Sequence, residues 1–221
     1  MHLSSTFVWP VGAIQQRFLV LCNSRGNAGY NEITAYLYTA AGSLVMQIPT
    51  AYEVHTDNIL YTQFCAIQQA DISSYTTPGD SYYIRLETLG AFQVGCGILH
   101  MANVDQTFDA ITSSANAGGT AISLDITPAA NPGIIVDSWA SDGSGVLWTP
   151  SGMTRGSIWM SYSIDVMAAE AAYTIVSDDS TQTLGWGGDF QNRNNMYATY
   201  RRAVLPGSPP GFNVNSWAAN F

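Results

Sequence analysis

The chain has 221 residues and a mass of 23.8 kDa, which one all-β core can fill. Only 10% of the residues are charged against 47% hydrophobic, and sixteen acids against seven bases give a formal charge of −9. That balance excludes a protein that grips nucleic acid by neutralising phosphates, and no apolar run approaches the ~18 residues a bilayer-spanning helix needs.

All seven bases are arginine, so no lysine guards an exposed strand edge. A surface dressed mainly with Ser, Thr, Asn, Gln and Gly has little electrostatic solubility, and it predicts cover by other subunits. The segment Met1–Thr6 lacks the basic and then apolar regions of an export signal. Cys22, Cys65 and Cys96 each lie in an apolar run. Their odd number and spacing fit neither a zinc set nor a disulfide framework, so they are read as reduced, buried thiols, compatible with assembly in a host cytoplasm.

In chain order, Phe18–Cys22 is apolar on both faces, as a central strand is, and Ser24-Arg25-Gly26-Asn27 punctuates its end. Ile33, Ala35 and Leu37 then alternate with Thr34, Tyr36 and Tyr38, the period of a half-buried strand. Phe64–Ile67 is again apolar throughout. The turn Thr77-Pro78-Gly79-Asp80 leads into Tyr82, Ile84 and Leu86, alternating with Tyr83, Arg85 and Glu87. Gly95–Met101 is a third two-faced apolar run. Ile122, Leu124 and Ile126 alternate with Ala121, Ser123 and Asp125, and Ile158, Met160 and Tyr162 with Ser157, Trp159 and Ser161. Turns are predicted at Asn131-Pro132-Gly133, Asp142-Gly143-Ser144-Gly145 and Ser177-Asp178-Asp179-Ser180. Val166–Ala172 is the only helix-friendly window. It lacks an amphipathic stripe and is read as strand or bulge.

About a dozen short strands with no intervening helices predict an all-β fold, a two-sheet antiparallel β-sandwich spanning residues 1–205. From Pro206 the composition changes to proline and glycine interleaved with Phe212, Val214, Trp217 and Phe221. Residues 206–221 are therefore read as an extended, irregular arm whose aromatic side chains dock on the domain or on a neighbour.

The segment Asn103-Val104-Asp105-Gln106-Thr107-Phe108-Asp109-Ala110 follows one apolar run and precedes Ile122-Ser123-Leu124-Asp125-Ile126 and Gly133-Ile134-Ile135-Val136-Asp137. This succession resembles a family of jelly-roll-like β-sandwich domains of phage virion proteins and some bacterial surface proteins, which carry a V-D-Q-T turn between the two halves of the sandwich. Arg17-Phe18-Leu19-Val20-Leu21 resembles that family's early core strand. Thr183-Leu184-Gly185-Trp186 and Met196-Tyr197-Ala198-Thr199-Tyr200 resemble its closing strands. Where many relatives continue with proline and threonine, this chain has Phe108-Asp109. The resemblance implies a jelly-roll-like architecture and display on a virion or cell surface, and it brings no catalytic residues. Read physically, Val104 stays in the core while Asp105 bonds backbone of its own turn, pinning a corner with Gln106 and Thr107.

No pattern announces chemistry. Gly79-Asp80-Ser81 sits in a Pro-Gly turn and is no nucleophile elbow; His2, His55 and His100 lack metal spacing, and His100 reads as a core residue with one hydrogen bond. Glu53, Glu87, Glu170 and Asp137 form no recognisable acid–base pair, and the acidic turns read as solvated rather than as calcium loops. No catalytic residue, metal or cofactor is expected. The aromatic supply, six Trp, twelve Tyr and eight Phe, serves core and interface, with Trp148 and Trp159 as an alternative sugar-stacking platform. The expectation is a virion structural protein, a capsid decoration or other head- or tail-associated piece. It would bind capsid or tail proteins and form a homo-oligomer, with a trimer on a local axis favoured. The alternative is a carbohydrate- or receptor-binding module.

Overall fold

The computed structural model describes residues 2–3, 6–9, 17–26, 33–56, 59–89, 91–128, 133–142, 149–164, 167–177, 179–202 and 213–220. In chain order the elements are β1 (His2–Leu3), β2 (Phe7–Val8), β3 (Arg17–Gly26), β4 (Ile33–Thr39), β5 (Leu44–Gln47), β6 (Thr50–Thr56), β7 (Leu60–Gln68), α1 (Gln69–Tyr75), β8 (Ser81–Thr88) and β9 (Ala91–Ala102). After the turn at Asn103 come β10 (Val104–Ile126), β11 (Gly133–Ser141), β12 (Thr149–Gly152), β13 (Ser157–Ile164), β14 (Met167–Val176), β15 (Gln182–Arg202) and β16 (Asn213–Asn220). Every strand pairing is antiparallel.

The all-β sandwich architecture is as the alternation predicts, but the strands among the described residues form three sheets and the layering is deeper than two. Sheet I runs β1-β8-β4-β5, with β2 also on β8. Sheet II runs β16-β9-β3-β7-β6, and sheet III runs β10-β15-β11-β14-β13, with β12 also on β15. Sheet II is the middle layer. One of its faces, with Phe18, Val20, Cys22, Cys65, Ile67, Cys96 and Ile98, packs on Ile33, Ala35, Leu37, Ile84 and Leu86 of sheet I. The other, with Leu19, Leu21, Phe64, Leu99 and Met101, packs on Ile134, Val136, Met167 and Ala169 of sheet III. The three runs apolar on both faces are therefore the three inner strands of sheet II, where each alternate side chain meets a different neighbouring sheet. Burying each large apolar side chain contributes about 1.5–3 kcal/mol, so this layer is the main source of cohesion.

Sheet III supplies its own extra layer. β10 and β15 pair over most of their 23 and 21 residues. One half of the ribbon pairs edge-on with β11 through residues 193–201 of β15. The other half carries Ile122, Ile126, Leu184 and Trp186, which pack on Trp139, Ala168, Ala172, Ile135 and Val176, the face of β11 and β14 turned away from sheet II. The ribbon thus folds back over the sheet it belongs to, with a register shift between Gly119 and Ala121 where it turns. Gly152 has φ +73°, and a β-carbon there would come within 2.4 Å of the Thr183 carbonyl oxygen, so β12 can lie this close to β15 only with glycine.

Four expectations are corrected. The end of the supposed arm is regular: Asn213–Asn220 forms β16 and pairs in register with β9, from Asn213 opposite Ala102 to Asn220 opposite Gly95. The proline and glycine cluster precedes this strand without entering it, and β9, buried on both faces, supplies a ready edge. The V-D-Q-T segment is not a turn either. Val104–Thr107 opens β10, and the reversal falls one residue earlier at Asn103, whose φ is 59°. Ile158 is exposed rather than inward, because a register shift between Ile158 and Met160 interrupts the alternation of β13. One short helix, α1, does occur, its first turn closed by Asp71 Oδ2 accepting from the Gln68 N–H at 3.1 Å. Val166–Ala172 resolves as strand from Met167.

Candidate interaction site

The predicted corner residues come together at the start of β10. Val104 is fully buried in the cluster between sheets II and III. Asp105 Oδ1 accepts from the Gln106 N–H at 3.1 Å. Gln106 does more: its Oε1 accepts the Gln69 N–H at 2.8 Å and its Nε2 donates to the Val104 carbonyl at 3.1 Å. It thereby satisfies a backbone donor at the first residue of α1, one of the groups a helix start leaves open. These are structural contacts. The side chain of Thr107 lies outside the described ones, as do those of Val214, Trp217 and Trp159; Phe212, Phe221 and Trp148 lie outside the described residues altogether.

The folded-back ribbon covers a buried polar network. Asp137 of β11 is wholly inaccessible, yet Arg155 grips it from the β12–β13 connection: Nε lies 3.0 Å from both carboxylate oxygens and Nη2 lies 2.8 Å from Oδ2. The Trp186 indole N–H donates to the same oxygen at 2.9 Å, and the guanidinium lies over the Trp186 ring, 5.5 Å from its centroid. Arg155 also donates to the carbonyls of Ser151 in β12, Met153 just beyond it and Gly185 in the ribbon. Burial pushes the Asp137 carboxyl pKa up, against the pull of Arg155 and the Trp186 N–H. A parallel arrangement stands one strand over: Trp139 donates its indole N–H to Glu170 Oε2 at 3.2 Å, and Ser161 donates to Oε1 at 3.2 Å. Asp137 ties the ribbon to the sheet beneath it, whereas Glu170 of β14 links its neighbours β11 and β13 within that sheet.

His100 is buried against Phe18, ring centroids 4.5 Å apart, in an aromatic stack that continues through Trp9. Burial lowers its pKa to about 4, so it is neutral at physiological pH. Cys22 stands directly opposite Cys96 on β9, and Cys65 lies in the same cluster; burial pushes the Cys22 thiol pKa well up, and the two neighbouring thiols add to the effect. All three are free and buried. Among the described residues no set of three His, Cys, Asp or Glu converges as a metal site, and no helix is long and apolar enough to cross a membrane.

A hollow of about 450 Å³ opens beside the β12–β13 connection, lined by Met153, Arg155 and Ile158, and sheet I presents an accessible face. On the outward side of sheet I the register places Leu44, Tyr38 and Tyr83 in one row, Gln47, Tyr36 and Arg85 in the next, and Thr34 with Glu87 in a third. Tyr38 and Tyr83 lie parallel within 11°, centroids 5.4 Å apart. Arg85 lies over the Tyr38 ring and donates to its hydroxyl at 3.3 Å, while its Nη2 stands 2.6 Å from Glu87 Oε1. A shallow hollow of about 280 Å³ bordered by Thr34, Glu87, Thr88 and Leu89 closes the third row. The residues of this face are legible in the sequence as the polar half of two alternating strands; their assembly into one patch required the β4–β8 register.

These features define a multilayer antiparallel β-sandwich with a buried polar network beneath its folded-back ribbon. No protein-family model matches the chain, and no curated protein does. Among solved structures it is similar to the crystal structure of Cucumber Necrosis Virus, at 14% identity over 87% of this chain and 72% of that one, TM-score 0.28. It is also similar to GK1651 from Geobacillus kaustophilus, at 10% identity over 91% and 82%, TM-score 0.29. A third similarity is to the C-terminal domain of the Streptococcus agalactiae AgI/II polypeptide BspA, at 9% identity over 91% and 82%, TM-score 0.23. At these scores the likenesses carry no functional argument.

Proposed function

We propose that the chain is a non-enzymatic structural protein of a virus particle, binding neighbouring capsid or tail subunits through its sheet faces. The observation that carries the adhesive part is the set of large aliphatic side chains left open on the two outer sheets of a chain that is only 10% charged. Val8 and Leu44 on sheet I, and Ile158 and Ile175 on sheet III, each keep about half of their surface exposed. Apolar area of this kind is returned by association at about 25 cal/mol per Å², and repeated over symmetry-related copies it holds a shell together without any reaction. The virion setting rests on the sequence resemblance to β-sandwich domains of phage virion proteins, with the V-D-Q-T segment standing here in strand rather than in a turn. With Asn213–Asn220 paired inside its own chain, contact with neighbours falls to sheets I and III rather than to a free arm.

The test substitutes Ile158→Asp with Ile175→Asp, both exposed and so tolerable to the fold. Expected are an unchanged melting temperature, a fall in self-association by light scattering and a lower occupancy in particles. A wild-type chain that stays monomeric at high concentration and never sediments with particles rejects the proposal.

A further inference from the structure

We propose that Cys22 and Cys96 are a redox-responsive pair, which a small peroxide closes to a disulfide tying β3 to β9 in the middle layer. This inference does not rest on the assembly reading, because it concerns covalent chemistry within a single chain.

The argument starts from placement. The strand order brings all three cysteines into one buried cluster between sheets I and II, on the adjacent strands β7, β3 and β9. Both neighbouring thiols come within hydrogen-bonding reach of the Cys22 sulfur, but a disulfide also has to fit the backbone. Cys22 stands directly opposite Cys96, whereas Cys65 stands opposite Val20 and so only diagonal to Cys22. Opposed residues of antiparallel strands have α-carbons about 4.5–5.5 Å apart, inside the range of about 4.4–6.8 Å that a disulfide spans. Diagonal residues lie about 7–8 Å apart, too far to bridge without moving backbone. Cys65 is also engaged elsewhere: Gln63 Nε2 donates to its sulfur at 3.1 Å, and Thr50 Oγ1 lies 3.9 Å from it. The register therefore selects one pair and leaves the third thiol beside it.

The step balances with one peroxide. The first thiol attacks a peroxide oxygen, the O–O bond breaks, water leaves and a sulfenic acid remains. The second sulfur attacks the sulfenic sulfur and displaces another water, so two thiols and one hydrogen peroxide give one disulfide and two waters. A small neutral oxidant suits sulfurs whose residues are at most 1% exposed. Burial keeps the Cys22 thiol protonated, so closure is slow and waits on local opening of the layer. The outermost strand, β16, is the one whose opening bares the far edge of β9. A reducing compartment leaves the pair open and an oxidising one closes it. Because the two residues are 74 positions apart in sequence, the link removes many conformations from the unfolded chain and so stabilises the fold.

The test treats the folded full chain with hydrogen peroxide, alkylates the remaining thiols and digests without reductant. Free thiols should fall from three to one, with the Cys22 and Cys96 peptides joined in chains that run as monomers on a non-reducing gel. The midpoint of chemical denaturation should rise relative to Cys96→Ala treated alike, and dithiothreitol should return it. Cys65→Ala should still form the link, and Cys96→Ala should not. The wild-type peptide map decides the matter even where a variant folds poorly. Three thiols that persist in the folded chain, while the same peroxide links the urea-unfolded one, overturn the proposal. So does a link from Cys22 to Cys65, or oxidation of single thiols to sulfinic acids with no link.

Discussion

Sheet II and the folded-back half of sheet III both bury one or both faces, and they are held by different physics. Around sheet II, cohesion is area: Phe18, Leu19, Val20, Leu21, Phe64 and Leu99 are fully or almost fully buried, and most of their contacts are apolar. Over sheet III, the ribbon packs Ile122, Ile126, Leu184 and Trp186 and is also fastened by polar bonds, from Arg155 and the Trp186 indole N–H to Asp137. Area tolerates exchange of one hydrophobe for another of like volume. A buried ion pair does not tolerate loss of one member, because the other charge is then stranded away from water. The two regions should therefore answer very differently to conservative mutation.

The sharpest way to break the comparison is Asp137→Asn. The Arg155 side chain is only 3% exposed, so its guanidinium would lose its counter-charge while buried. Chemical denaturation should report a loss of about 3–5 kcal/mol. Replacing both partners, as Asp137→Leu with Arg155→Met, should recover only part of that loss, because the Trp186 N–H and the carbonyls that Arg155 caps lose their partners, whereas a volume-conserving exchange in sheet II, Leu19→Met, should cost under about 1.5 kcal/mol. If Asp137→Asn proves as mild as Leu19→Met, the ribbon is held by packing and the contrast fails.

A pH titration sharpens the same contrast from the side of sheet II, where the titratable group is His100. Its folded-state pKa of about 4 lies below the ordinary 6.5. Above pH 6.5 the ring is neutral folded or unfolded, and stability is complete. As pH falls from 6.5 towards 4, the unfolded chain takes up a proton that the folded one refuses, so stability declines, and it levels off below pH 4. A shift of this size corresponds to roughly 3 kcal/mol. The stability difference between wild type and His100→Gln should therefore change by about that amount between pH 7.5 and 4, and a difference independent of pH would show that His100 is open to solvent.

How far the sequence carried these readings depended on whether a signal was local. Alternation in Ile33–Leu37 and Tyr82–Glu87 named the buried and outward faces of sheet I, because a period of two is written in each strand by itself. Runs apolar on both faces named the strands of sheet II without revealing that two different sheets would cover them. Asp137 and Glu170 were visible only as two acids among sixteen. Their partners lie at Arg155, Trp186 and Trp139, separations of 18, 49 and 31 residues, and no spacing rule links them. β16 was hidden for a related reason: the composition of the preceding Pro-Gly stretch argued against regular structure, while the cause of the strand is an open edge on β9, more than a hundred residues earlier.

The smallest effect tests the junction that joins the two regions, where β9 of sheet II passes into β10 of sheet III at Asn103. Its φ of 59° is a left-handed backbone, which asparagine tolerates better than most side chains and glycine adopts freely. Its Oδ1 is buried with no hydrogen-bond partner, so the side chain returns little for the conformation it accepts. Asn103→Gly should therefore hold or slightly raise stability, and Asn103→Ala should fall about 1 kcal/mol below the glycine variant, because alanine brings a β-carbon into that conformation without asparagine's tolerance for it. Equal melting temperatures for the two variants would mean that the corner is held by Val104 and Gln106 rather than by the backbone at Asn103. The passage from the middle layer to the outer one would then be set by side-chain contacts alone.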